Sequence, residues 1–492
     1  MLLAIDQGTT GTTCIVFSLE GDELGRAYAE FGQGFPRPGW VEHDAAEILA
    51  VTLAVANEAL DEVGVMPGYL EGIGITNQRE TTVVWDRESG RPLGPAIVWQ
   101  DRRTAVRCGE LREAGHEQMI RERTGLVLDS YFSATKIEWL LNNVEACADA
   151  ARGGTALAGT IDSWLIWNLT GEHVTDPSNA SRTLLYDINA GHWDADLLDL
   201  FGVPAAMLPR VVPSVGVIAP TRPELLSGRS APVAGVLGDQ QSALFGQGCF
   251  SPGEAKATYG TGSFILMNSG RSAPAPADGL LSTVAWGIGD RLDYAIEASV
   301  FVAGAAVQWL RDGLGLIESA AETEALAASL SSNDGVHFVP ALTGLGSPWW
   351  DADARGTITG LTRGTTKAHI VRATLEGIAF QVADAVDAMR AASGTELGEL
   401  RADGGATANS WLMQFQADLL GVEVSVPEIP ETTALGAALA AGVGSGAMTM
   451  TDAQQAKRIQ ATFTPSISAD HRATLISEWR AALAQARLPG LE

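Results

Sequence analysis

The chain has 492 residues, 46% of them hydrophobic, a formal net charge of −27 and a pI near 4.6. That length calls for two hydrophobic cores, and the apolar content excludes a disordered chain. The acid excess argues against a nucleic-acid backbone or an anionic membrane as partner, so an anionic ligand has to be held locally.

In chain order, Ala4 to Phe17 reads as two apolar strands joined by Gly8-Thr9-Thr10-Gly11. Such a turn suits phosphate: glycines let backbone N–H groups approach an anion, threonines add hydroxyl donors, and Asp6 at the strand end is placed to hold Mg²⁺. The plainer reading is an ordinary tight turn. Asp44 to Glu47 looks like a capping box opening a helix that carries Ile48, Val51, Val55 and Ala59 on one face and stops at Gly64. Leu70 to Ile75 follows as a strand. The polar cluster Asn77-Gln78-Arg79-Glu80 is either a solvated loop or a set of donors and acceptors for neighbouring hydroxyls. Thr81 to Trp85 and Ala96 to Trp99 bracket a turn and predict a hairpin.

The strand Val233 to Leu237 runs into Gly238-Asp239-Gln240-Gln241. An aspartate at the carboxyl end of a strand suits proton transfer from a hydroxyl, or metal binding, and serves equally as a helix N-cap. Gly246 to Gly253 is the expected hinge by its Gly and Pro density. Beyond it, Lys256 to Met267 repeats the plan of the first hairpin around Gly260-Thr261-Gly262, which suggests duplicated halves facing one nucleotide. Neither turn has the G-x-x-x-x-G-K-[ST] or G-x-G-x-x-G spacing. A long helix is expected over Thr366 to Ala392, and a strand at Leu400 to Ala402 leads through Asp403-Gly404-Gly405-Ala406 into a helix near Ala408 to Leu420. Alternating strands and helices give an α/β architecture. Trp99, Tyr131 and Phe264 are candidate pocket walls or core residues.

Cys14, Cys108, Cys147 and Cys249 have no C-x-x-C spacing, so reduced structural thiols are expected. The strand pattern beginning just after Met1 is not that of a signal peptide, and Ala434 to Val443 is too short to span a membrane. The expectation is a cytoplasmic protein.

Several runs, in order, resemble the FGGY carbohydrate kinase family over nearly the whole chain. They include Asp6 to Thr10, Pro38 to Asp44, Gly74 to Thr81, Ile97 to Arg103, Tyr131 to Lys136, Gly238 to Gln241, Thr258 to Gly262, Gly360 to Thr365 and Asp403 to Ala406. The resemblance implies an actin-like (ribonuclease H-like) ATPase fold of two related α/β domains, 1–246 and 247–492, with the active site in the cleft between them. It implies ATP and Mg²⁺ as cofactors and glycerol as phosphoryl acceptor. Carried over by position, Asp239 is the general base and, with Asp6, the metal side. Arg79, Glu80, Trp99, Tyr131, Asp239, Gln240 and Phe264 surround glycerol. Thr9, Thr10, Gly11 and Thr261 meet phosphates, and Gly304, Gln308, Gly405 and Asn409 border the rest of the nucleotide. A homo-oligomer, dimer or tetramer, is also expected, with no nucleic-acid or membrane partner.

Three departures stand out. Gly11-Thr12-Thr13 occupies the place where Ser-Ser-Arg is often found, Ser230 stands where an arginine is expected for sugar-bisphosphate inhibition, and no histidine lies between His192 and His337. Altered nucleotide affinity is expected from the first, and loss of two kinds of regulation from the others. The rival readings are a family member acting on a ketopentose, sugar acid or tetritol, and a non-enzymatic actin-like nucleotide switch. Closure of the cleft about residues 246 to 254 is expected on ligand binding.

Overall fold

The computed structural model describes residues 1–487. Its backbone is organised by a sheet of thirteen strands, labelled here along the chain. They are β1 (Leu2–Gln7), β2 (Gly11–Phe17), β3 (Glu23–Glu30), β4 (Gly72–Asn77), β5 (Val215–Pro220), β6 (Pro232–Gly238), β7 (Glu254–Tyr259), β8 (Ser263–Gly270), β9 (Leu281–Ile288), β10 (Arg291–Val300), β11 (Glu399–Asp403), β12 (Glu423–Pro427) and β13 (Ile459–Phe463). In the first half the order is β3-β2-β1-β4-β6-β5, antiparallel through β1, parallel through β6 and antiparallel again at β5. The second half repeats that pattern as β10-β8-β7-β11-β12-β13. The outer strand precedes β6 in one half and follows β12 in the other. β9 joins the halves, pairing β10 along its length and β5 at Val215 and Ile288 alone. The repeated Gly-Thr hairpins, β1-β2 and β7-β8, are therefore the equivalent corners of two like sheets.

Helix α1 (Ala45–Val63) buries Ile48, Thr52, Val55, Ala56 and Ala59 and ends at Gly64 in a left-handed conformation. Asp44 caps it, accepting from the N–H groups of Ala46 and Glu47. The reciprocal half of the expected capping box is not made: Glu47 instead accepts from Gly32 N at 3.1 Å, because the edge of the sheet lies within its reach. The expected hairpin over Thr81 to Trp99 forms: Thr82 pairs antiparallel with Ile97 and Trp85 with Pro92, and Asp86 N donates to Arg91 O at 2.9 Å across the turn. Thr82–Asp86 pairs along its length with Ala156–Thr160, and Ala96–Ile97 meets it at one residue, in a separate four-stranded sheet. The local hairpin stands, and the non-local strand adds a second partner on its other edge.

Three further helices position the site: α2 (Asp239–Gly246), α3 (Lys367–Ser393) and α4 (Ser410–Leu420). A fourth, α5 (Thr432–Ser445), belongs to the second half but packs on β1, β4 and β6 of the first, and against α2. Its Ala- and Gly-rich sequence is a close-packing device. A methyl group on Gly74 would lie 1.9 Å from Ala437 O, and one on Gly436 would lie 1.8 Å from Ser242 O. This is the stretch with the most membrane-like composition, and among the described residues no helix is long and apolar enough to cross a membrane. Of the expected hinge Gly246 to Gly253, the first four residues, Gly246 to Cys249, are buried and tied down, while Ser251 and Pro252 are exposed. Gln247 Nε2 donates to Asp403 Oδ2 at 2.7 Å, and Cys249 O accepts from Asn268 Nδ2 at 3.0 Å. All four cysteines are free and buried.

Candidate active site

The strands β1, β4 and β6 run parallel or side by side and end together, so the loops that follow them meet. β4 delivers Arg79 and Glu80, and β6 delivers Asp239 as the first residue of α2. Glu80 holds a φ of 62°, unusual for a residue with a Cβ, and its carbonyl accepts from the hydroxyls of Thr82 and Ser133, each at 3.0 Å. A strained backbone held by hydrogen bonds aims the carboxylate into the protein instead of into solvent.

The buried charges form one array. Arg79 Nη1 donates to Glu297 Oε2 at 2.6 Å and to Gln241 Oε1 at 3.3 Å, and its Nη2 donates to Glu297 Oε1 at 3.3 Å. Arg79 Nε lies 3.0 Å from Asp239 Oδ1. Arg182 bridges the same glutamate to the next, from Nη2 to Glu297 Oε1 at 3.2 Å and from Nε to Glu80 Oε1 at 2.7 Å. Burial alone would raise the Glu297 carboxyl, but the facing Arg182 and Arg79 outweigh it and bring it down to about 2. For Glu80, burial outweighs its arginine partners and moves its carboxyl upward. Lys256, buried on β7, donates to Gln240 Oε1 and, at 3.0 Å, to Thr258 Oγ1. The three cations Arg79, Arg182 and Lys256 thus face the carboxylates of Glu80, Glu297 and Asp239, and Lys256 faces Asp403 as well.

These contacts decide which atoms are left for a ligand. Asp239 Oδ1 faces Arg79 Nε and accepts from Gln240 N at 2.7 Å, while Oδ2 has no hydrogen bond among the described residues. Glu80 gives Oε1 to Arg182, so Oε2 remains. Lysine only donates, so Gln240 must turn its carbonyl to Lys256, which leaves its NH₂ as the ligand-facing donor. The apolar walls follow the same pattern. Trp99 meets Tyr131 edge-on with ring centroids 5.5 Å apart, and its Nε1 donates to Thr9 Oγ1 at 2.9 Å. Tyr131 is held by its backbone, since Lys136 Nζ donates to the carbonyls of Ser130, Tyr131 and Phe132 at 2.7, 2.5 and 3.1 Å. Phe264 is opposite Thr258 and Ser299 in the ladders of β8, on the face that also carries Lys256 and Glu297.

Asp6 is half-buried at the end of β1, and Thr13 is its direct partner across the hairpin. Burial, then Asp239, then Glu431 push its carboxyl up to about 7. Gly11 lies tight against β3, where a Cβ would come within 2.6 Å of Ala29 O. Thr10 is exposed.

The second turn gathers its own set. Gly304 N donates to Gly260 O at 2.9 Å, and β11 ends beside Thr258, so that Gly404 packs on Tyr259 and leaves Gly405 exposed. Thr261 is exposed at the tip, and Gln308 is exposed at the end of the short helix Gly304–Gln308. Asn409 caps α4 by accepting from Leu412 N at 2.9 Å, and its Nδ2 donates to Thr323 Oγ1 at 3.0 Å. The acceptor-side candidates are therefore linked into one cluster, while the nucleotide-side candidates surround an open turn. Sequence reasoning missed Arg182, Lys256 and Glu297. For Glu297 the signal was present as a single charge in the largely apolar run Tyr294 to Val300, where an unpaired charge is not tolerated, whereas Arg182 and Lys256 sit among polar neighbours that gave no such mark.

Residues 1–246 match the N-terminal domain, and residues 255–445 the C-terminal domain, of the FGGY family of carbohydrate kinases. The chain is 53% identical to a glycerol kinase of Halorhodospira halophila, over 98% of this chain and 96% of that one. The crystal structure of Plasmodium falciparum glycerol kinase with ADP superimposes with a TM-score of 0.95 at 37% identity, covering 100% and 98% of the two chains. Xylulose kinase from Rhodospirillum rubrum gives a TM-score of 0.87 at 26% identity, covering 98% of each.

Proposed function

The chain belongs to the FGGY family of carbohydrate kinases, and we propose that within it this protein is an ATP-dependent glycerol kinase. It transfers the γ-phosphoryl group of ATP to the terminal hydroxyl of glycerol, giving sn-glycerol 3-phosphate and ADP. The observation that carries this reading is 53% identity to a glycerol kinase over 98% of the chain, twice the 26% found with a xylulose kinase of the same fold. The pocket agrees with it. Its few free polar atoms are enough for three neighbouring hydroxyls, and the edge-on pair of Trp99 and Tyr131 offers an apolar wall to a short carbon chain. Such a site penalises analogues that lack a hydroxyl, because its buried groups are then left unpaired.

Each residue has a role that its contacts support. Asp239 Oδ2 takes the proton of the attacking hydroxyl, while Arg79 and the Gln240 N–H keep Oδ1 engaged. Arg79 retains one Nη2–H for a hydroxyl oxygen, Glu80 Oε2 accepts a hydroxyl proton, and Gln240 donates. Thr9, Thr10, Gly11 and Thr261 present hydroxyls and N–H groups to the phosphates from the two turns. Gly304, Gln308, Gly405 and Asn409 border the rest of the nucleotide. We place the division of the domains at residues 246 and 247.

Asp6 and Asp239 fit a Mg²⁺ ion. Among the described residues no group of three or more His, Cys, Asp or Glu side chains forms a cage, whereas Mg²⁺ commonly takes one or two carboxylates and completes its shell with water and phosphate oxygens. The raised Asp6 carboxyl, facing Asp239 and Glu431, is a site short of positive charge. When bound, the ion neutralises charge on the phosphates. The test is phosphorus NMR of the products formed from ATP and glycerol. Asp239→Asn should lower kcat by about 10²- to 10⁴-fold while leaving nucleotide binding largely intact. Near-normal turnover in that variant removes Asp239 from its role.

A further inference from the structure

Arg79 and Glu80 stand in the first half of the chain, yet the group that fixes both comes from the second. Glu297 is on β10, opposite Leu266 of β8 and Leu281 of β9, in an otherwise apolar stretch. One of its oxygens, Oε2, receives Arg79 Nη1 at 2.6 Å. The other, Oε1, is shared between Arg79 Nη2 and Arg182 Nη2 at 3.3 and 3.2 Å. Arg182 in turn reaches Glu80 Oε1 at 2.7 Å, so one carboxylate holds two guanidinium groups and, through the second, a further carboxylate. All four side chains are at most 3% exposed.

The donor count gives this geometry its consequence. Arg79 has five N–H groups, of which one faces Asp239, one goes to Gln241 and two go to Glu297. A single Nη2–H is left. Without Glu297 the guanidinium would be free to turn about its last side-chain bonds, and its strongest remaining partner would be Asp239.

We propose that Glu297 is the positioning residue of the acceptor pocket: it holds Arg79, and through Arg182 it holds Glu80, so that one N–H and one carboxylate oxygen stay directed at the hydroxyls of a small polyol. The pocket is thereby completed by the opposite half of the chain, and its geometry depends on how the halves dock. This role rests on the assignment of glycerol as acceptor made above.

Glu297→Gln tests it, because the amide keeps the shape and removes the charge. The variant should raise the KM for glycerol by roughly 10- to 100-fold, the range for a charge-assisted hydrogen bond. The KM for ATP should stay within about 3-fold, as expected for a site away from the array, and calorimetric binding of ADP should match wild type. A purely structural role would instead lower the melting temperature and the active fraction with no shift in the glycerol KM, and that result overturns the proposal. Glu297→Asp keeps the charge and withdraws it by one methylene, so it serves if the amide variant does not fold. It should give an intermediate rise in glycerol KM, and an unchanged KM in a folded Glu297→Asp variant is equally fatal. Wild-type turnover of glycerol is measured alongside. A wrong acceptor shows there as poor wild-type turnover, whereas a wrong role for Glu297 shows as variants with the wild-type glycerol KM.

Discussion

Trp99 donates its indole N–H to Thr9 Oγ1 at 2.9 Å, joining a wall of the proposed acceptor pocket to the first of the two Gly-Thr turns. Because Thr9 Oγ1 accepts from Trp99, the hydroxyl proton of Thr9 is directed elsewhere, and the ligand of the turn is the natural acceptor. Trp99→Phe keeps an aromatic wall beside Tyr131 and removes this constraint. The KM for ATP should rise by about 3- to 10-fold, as expected for one neutral hydrogen bond, with a smaller change for glycerol. Steady-state kinetics with each substrate varied in turn checks the prediction, and a change confined to glycerol would contradict it.

Thr13 is the direct cross-strand partner of Asp6, at the place where an arginine was expected. The carboxylate therefore lacks a cation on that side, in keeping with the upward shift of its carboxyl to about 7 by burial and by Asp239 and Glu431. Thr13→Arg should add a charge-assisted contact to the phosphates and lower the Kd for ATP by about 3- to 10-fold. Calorimetry at fixed Mg²⁺ concentration measures this, and weaker binding would show that the arginine is captured by Asp6 instead.

His173 is packed edge-on to Trp85 with centroids 5.1 Å apart, and its Nε2 lies 3.1 Å from Ala158 O, so the neutral ring carries its proton on Nε2. Burial, which disfavours the imidazolium, brings its pKa from 6.5 down to about 4. The unfolded chain then binds more protons than the folded one between those values. The contribution of this group to stability is fully present above about pH 6.5 and is lost as the pH falls through about 4. In His173→Gln the melting temperature should fall less steeply between pH 6.5 and pH 4 than in wild type. Parallel curves would exclude His173 as a source of acid sensitivity.

Helices α2 and α5 cross where Gly436 would carry a Cβ 1.8 Å from Ser242 O. Gly436→Ala has to separate two buried backbones, a cost of about 1–3 kcal/mol, which at this chain length is a fall of roughly 1–3 °C in Tm. Gly153→Ala is the control, because its Cβ would point into open space at the end of an exposed helix. Calorimetric scans at one rate compare the two, and equal melting temperatures would mean that the crossing is looser than its geometry.

The two hairpins were legible in the sequence because their information is local: an apolar strand, a Gly-Thr turn and an apolar return. The same holds for α1 and α3, whose ends at Gly64 and Gly394 are marked by residues that adopt a left-handed backbone readily. The hairpin that Thr82–Asp86 makes with Ala96–Ile97 was legible from its turn, but the pairing with Ala156–Thr160 was not, since that partner strand lies far along the chain. Arg79 and Glu80 could be singled out as a polar pair, but not the partners that hold them in place. Arg182 reaches Glu80 from far along the same half, and Glu297 reaches Arg79 from the other half, so neither partner shows in the local sequence. The close passage of α5 over β4 was hidden for a related reason: an Ala- and Gly-rich helix looks weakly apolar until the backbone it must approach is known.

The claim on which the account depends most is the acceptor. Initial rates with saturating ATP and Mg²⁺ should be measured for glycerol, xylulose, ribulose, gluconate and erythritol under one set of conditions. The account predicts a kcat/KM for glycerol at least about 10²-fold above each of the others, because a pocket with buried hydrogen-bonding groups discriminates by that much or more. A ketopentose, sugar acid or tetritol turned over as well as glycerol would contradict it.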